Sequence, residues 1–172
     1  NTAIQDNAGS ICGKGFQIIS SEVDIRDYLE ELIYDSRNRL YTNFEKFVIR
    51  SEIEGELFLC ATLHEDGFVE IDFLSPTALK EIHYHPLKQT MPLLYEFNFT
   101  EKGSSSAIKQ IPSIYVSEFP SLAKEMESLE VFDRTKVLRP HPKTGLWKKR
   151  NGYQSFIISW DKGLFTKRNV SS

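Results

Sequence analysis

The sequence predicts an α+β fold: an N-terminal helix packed on a mainly antiparallel sheet, then a second helix and a C-terminal β-hairpin. Three patterns lead there. Apolar residues recur at helical spacing through 20–39. Residues 68–74, "FVEIDFL", alternate Val69, Ile71 and Phe73 with Glu70 and Asp72, the period of a half-buried strand. Further strand-forming runs, separated by turn signals, recur on either side of a helical stretch at 117–129. With 172 residues, 40% hydrophobic and 26% charged, the chain has an ordinary globular composition and length enough to bury roughly two-thirds of its unfolded surface.

Taken in order, residues 1–16 are polar and Gly-rich and read as a flexible arm, leaving 17–172 as a single α+β domain. "SSEVDIRDYLEELIYDSRNR" (20–39) reads as a helix, with Val23, Ile25, Tyr28, Leu29, Leu32 and Ile33 at helical spacing. Ser21 and Asp24 resemble a capping box. "FEKFVIRS" (44–51) and "ELFLCATL" (56–63) read as strands turned at Glu54-Gly55, completing a three-strand meander with 68–74. "TALKEIHYH" (77–85) reads as a helical turn running into a strand, and "MPLLYEFNF" (91–99) as a strand with Pro92 near its start. "EKGSSSAIKQ" (101–110) reads as a mobile loop. "SEFPSLAKEMESL" (117–129) reads as the second helix, with Pro120 in its first turn. A hairpin from "YQSFIISW" to "LFTKRN", turned at Asp161-Lys162-Gly163, closes the chain.

No apolar run approaches the ~18–20 residues of a membrane span, and no basic-then-apolar leader follows Asn1. The expectation is a soluble chain with no membrane partner, excised or processed from something longer. Cys12 and Cys60 are too few for a disulfide scaffold or a Cys-based zinc site. Cys60 sits in an apolar run and reads as a buried thiol; Cys12 lies between glycines. The net charge of −3 is unevenly placed, with −12 over residues 1–133 and +9 over the basic C-terminal region 134–172.

Two groups carry possible chemistry. In "KEIHYHPLKQ", His83 and His85 stand two residues apart, so on a regular strand both imidazoles project to one face. Such a pair suits zinc, for which neutral imidazole is a preferred ligand. It equally suits two surface histidines on a strand that Pro86 ends. In "RPHPKTGLWKKRNGYQ", Arg139, His141, Lys143, Lys148, Lys149 and Arg150 accompany Trp147 and Tyr153. Cations neutralise phosphates and aromatic rings stack on unpaired bases, so this segment is a candidate nucleic-acid surface. His141 beside Lys143 offers an acid or base for RNA cleavage.

The stretch "HYHPLKQTMPLLYE" resembles the metal-binding signature of the JAMM/MPN metalloproteases. His83 and His85 match that family's histidines, and its Asp falls on Glu96. Its Ser falls on Leu93, and Tyr84 stands where a small hydroxyl residue is usual. The order of elements is loosely similar over some two-thirds of the chain, with Glu45 where the family's upstream Glu falls. The resemblance implies zinc held by His83, His85 and Glu96, with Glu45 as the base that moves a water proton, in a peptidase or isopeptidase acting on a protein or peptide. The Leu93 mismatch removes an oxyanion donor and points to a degenerate relative. Beside this zinc-dependent reading stand two others: a nucleic-acid-binding or RNA-cleaving toxin-like module using 139–153, and a non-catalytic protein-binding effector or immunity module.

Overall fold

A computed structural model describes residues 2–13, 18–100, 107–139 and 147–161. Helices lead the chain: α1 (Thr2–Cys12), α2 (Val23–Tyr34) and α3 (Leu40–Glu54). The arm expected over 1–16 thus contains a helix, which packs against α3 and buries Ala8. The expected helix over 20–39 is present as α2, but the Ser21–Asp24 box is not formed. Glu22 holds the N-cap position without a side-chain cap, and its N–H donates to Ser20 Oγ at 3.2 Å.

The strand expected at 44–51 is helical. Leu40, Phe44, Phe47, Val48 and Ser51 follow one helical face, with Val48 and Ser51 buried, a period visible only beyond an eight-residue window. Gly55 is not a hairpin turn. At φ +74° it takes the left-handed conformation that ends a helix, and its N–H donates to Ser51 O.

Two three-stranded antiparallel sheets follow. β1 (Glu56–Leu63), β2 (Val69–Leu74) and β6 (Ser155–Asp161) form the first in the order β2-β1-β6. β3 (Leu79–His85), β4 (Lys88–Phe99) and β5 (Ala107–Pro112) form the second in the order β3-β4-β5. The expected meander is therefore a β1–β2 hairpin, with β6 in place of 44–51. Part of the segment expected as a mobile loop at 101–110 is strand β5. The partner strand expected after Asp161 lies outside the described residues.

Phe58, Cys60 and Ile157 of the first sheet meet Leu79, Tyr95, Phe97 and Ile111 of the second in one apolar core. A second core joins Leu93 and Leu94 to Val116, Leu122 and Met126 of the helices α4 (Ile114–Glu118) and α5 (Pro120–Glu127), with Tyr153 and Phe156. On the other side of β1–β2, Phe47 of α3 stacks on Phe73. Edge strand β2 is finished by one side chain: Asn38 donates to Val69 O at 2.8 Å and accepts from Ile71 N–H at 2.9 Å, as a neighbouring peptide would.

Candidate functional site

Strand β3 carries the histidines, and its irregularity decides where they point. Pro92 of β4 stands opposite Tyr84 and has no N–H to give to the ladder. The register shifts on both sides of Tyr84, between His83 and Tyr84 and between Tyr84 and His85. Bulges of this kind re-aim side chains, and the two imidazoles separate.

His85 is buried with both ring nitrogens engaged. Leu87 N–H donates to its Nδ1 at 3.0 Å, and its Nε2 pairs with Glu125 of α5. An acceptor Nδ1 leaves the proton on Nε2, which faces the carboxylate. His83 goes the other way. Its Nε2 lies 3.9 Å from Glu96 Oε2, and its Nδ1 lies 4.0 Å from Glu81 Oε1. Among the described residues His83 Nε2 is buried with no hydrogen-bond partner.

Glu81, His83 and Glu96 each offer a ligand atom within 4.8 Å of the others, a group able to hold a metal ion. Two zinc bonds of about 2.0–2.1 Å bridge 3.9 Å in a nearly straight line, and tetrahedral angles require closing by roughly 0.5 Å. The His83–Glu96 pair therefore fits a divalent ion after a small movement, and Glu81, whose Oε1 lies 4.0 Å from His83 Nδ1, has to swing further to join it. One feature opposes it: Lys80 Nζ already donates to Glu96 Oε2 at 2.9 Å, while Gln110 Nε2 donates to Oε1 at 2.8 Å. Burial pushes the Glu96 carboxyl up, but these two hydrogen bonds and the charges of Lys80 and His83 outweigh it and hold the group below its ordinary value. An incoming cation has to displace the Lys80 ammonium.

Of the four residues expected to form a zinc centre, the structure brings together His83 and Glu96. His85 is committed to Glu125, and Glu45 lies on α3 beside Cys12 of α1, whose thiol is raised first by burial and then by that carboxylate. The third ligand atom comes from Glu81, which sequence reasoning passed over. Two signals mark it: Glu81 stands two residues from His83, as His85 does, and in an antiparallel pair it falls opposite Glu96.

At the basic end, His141 and Lys143 lie outside the described residues. Arg139, Lys148 and Lys149 are exposed. Arg150 Nε donates to Ser117 O at 2.9 Å, and Tyr153 is buried with its hydroxyl donating to Glu127 Oε1. Trp147 is no open stacking platform, because its ring lies 4.2 Å from that of His64. His64 Nε2 is 3.0 Å from Glu70 Oε2. Trp147 and Tyr153 thus serve packing, and among the described residues the exposed charge without an ion pair is carried by Arg139, Lys148 and Lys149.

No helix among the described residues is long and apolar enough to cross a membrane. Comparison with known proteins finds no matching family model, curated protein or solved structure, so the likeness to the JAMM/MPN signature rests on this chain's own residues.

Proposed function

We propose that this protein is a zinc-binding module that acts by engaging another protein, not by cleaving one. The observation that carries the reading is how the ligand set is divided. The His83 ring lies between two carboxylates, with Nδ1 4.0 Å from Glu81 Oε1 and Nε2, buried without a hydrogen bond among the described residues, 3.9 Å from Glu96 Oε2. The two further groups that peptide hydrolysis would draw on, His85 and Glu45, sit against Glu125 and Cys12. One imidazole with two carboxylates suits zinc better than magnesium, which favours all-oxygen shells. Bound there, zinc would supply Lewis acidity and lock β3 to β4 through its three ligands.

The protein-binding half of the reading rests on α2. Its apolar residues have the spacing of a core-facing helix, yet none is buried, and Val23, Ile25, Tyr28 and Tyr34 are exposed.

Equilibrium dialysis with zinc tests the first half. The wild type is expected to take up one zinc ion, His83→Ala none, and His85→Ala the wild-type amount. Unchanged uptake in His83→Ala would sink the reading. Cleavage of a general peptide or isopeptide substrate by the zinc-loaded protein, abolished in His83→Ala, would replace it with the hydrolase.

A further inference from the structure

An open groove of about 550 Å³ lies where the apolar core between the two sheets reaches the ends of β4 and β5, lined by Phe99, Thr100, Lys109, Thr135, Leu138 and Arg139 among others. Phe99 and Leu138 pack on that core, so the floor is apolar and rigidly backed. Backbone pairing holds the far wall: Gln110 N–H donates to Lys136 O, and Leu138 N–H donates to Gln110 O, both at 2.9 Å. Lys109 and Arg139 bring two positive charges to the rim. Among the described residues neither forms an ion pair, whereas nearby Lys136 is 3.5 Å from Asp133. The Thr135 hydroxyl donates to Asp133 Oδ1, and among the described residues Thr100 is the other hydroxyl that lines the groove.

We infer that this groove binds a nucleotide-sized phosphate ester, its phosphate held by Lys109 and Arg139 and its base laid against Phe99. The size lies within the ~300–1,000 Å³ of small-molecule sites, and an apolar floor with a few convergent polar groups is their usual make-up. Two cations match the charge of a phosphate monoester better than that of a carboxylate. The guanidinium of Arg139 presents paired N–H donors in the geometry phosphate oxygens accept. Half-buried Phe99 and Leu138 beside that charge favour a ligand with an aromatic body over a bare anion.

The source of such a ligand is a free mononucleotide or the phosphorylated end of a single strand, and the two separate experimentally. Binding of AMP, GMP, CMP and UMP is measured by calorimetry on the whole chain, with adenosine and inorganic phosphate as controls. At least one nucleotide is expected to bind more tightly than either control. Arg139→Ala and Lys109→Ala are each expected to weaken it about tenfold or more, since each removes a charge-assisted contact. Arg139→Lys should recover part of the loss, and matched thermal unfolding verifies that the variants fold. A 5′-phosphorylated oligonucleotide binding more tightly than the best mononucleotide assigns the site to strand ends; equal or weaker binding assigns it to free nucleotides. The inference is overturned if none of the four nucleotides binds, if adenosine or phosphate alone binds as well, or if both alanine variants bind like the wild type.

Discussion

Single side chains here replace whole structural elements. Asn38 completes the edge of β2 with one donated and one accepted hydrogen bond. Asn38→Leu strips both partners at a site that is 5% exposed. A loss of about 2–4 kcal/mol in unfolding free energy is expected from denaturant titration, as two backbone groups lose their partners. Asn38→Asp keeps the acceptor for Ile71 but sets a buried carboxylate oxygen against Val69 O, so it should not recover the loss. Glu96 sets a pH dependence whose sign follows from its lowered carboxyl. A group depressed in the folded state stabilises above its unfolded value, near 4.5, and that contribution disappears as pH falls through the lower folded value. Stability measured from neutral pH down to about pH 3 should therefore fall less steeply in Glu96→Gln than in the wild type. Lys80→Met tests the metal reading at the same atom. Freed from the ammonium, Oε2 should bind zinc more tightly, and an unchanged or weaker affinity would count against ligation by Glu96.

At the scale of elements, α3 and the 147–153 segment show how context redirects residues. Arg150 is a positive charge in a basic run, but its Nε holds the carbonyl of Ser117 near the end of α4. Arg150→Ala is expected to cost about 1–2 kcal/mol of stability, whereas Lys148→Ala and Lys149→Ala, being exposed, should stay within about 0.5 kcal/mol. Thermal or denaturant unfolding distinguishes these outcomes, and any nucleic-acid test of this segment is cleaner with the two lysines than with Arg150. Helix α2 is the converse case. Tyr28 Oη donates to Gly67 O at 2.7 Å, and Arg37, just beyond the helix, lies 3.4 Å over the Phe68 ring. A few specific tethers thus hold the helix to the β1–β2 turn while Val23, Ile25, Tyr28 and Tyr34 stay exposed and Leu29, Leu32 and Ile33 are half-buried. Val23→Lys with Ile25→Lys should leave unfolding free energy within about 0.5 kcal/mol of wild type. A large destabilisation would mean that these side chains are covered in the free protein.

Across the whole molecule, the two apolar cores share β4: Tyr95 and Phe97 enter the core between the sheets, while Leu93 and Leu94 enter the core under α4 and α5. Glu96, one of the three metal-capable residues, lies on this same strand, so binding there is coupled to the strand that both cores share. Cys60 reports on that packing. Burial pushes its thiol up to about 12 against weaker opposing bonds from Thr62 and Ser155, so a thiol reagent at neutral pH should label Cys60 only as fast as the core opens. Cys12, half-buried, should react first. Equal labelling rates in the folded protein would contradict the packing of the core between the sheets.

Local pattern alone determined the elements whose residue types and flanking turn signals suit one conformation over most of their length. The helix at α2, the strands β1 and β2, the turn into β3 and most of β4 all belong here. Spacing on a strand marked His83, while Glu96 was marked only by the likeness to the JAMM/MPN signature. Tertiary structure decided the rest. The 44–51 segment is amphipathic enough for either period within eight residues, and its burial against β1 and α1 resolves it as helix. The His83–His85 pair separates because Pro92, on another strand, breaks the ladder between them. Glu81 replaces His85 because antiparallel register sets it opposite Glu96, and register is a relation between strands that no single strand's sequence contains.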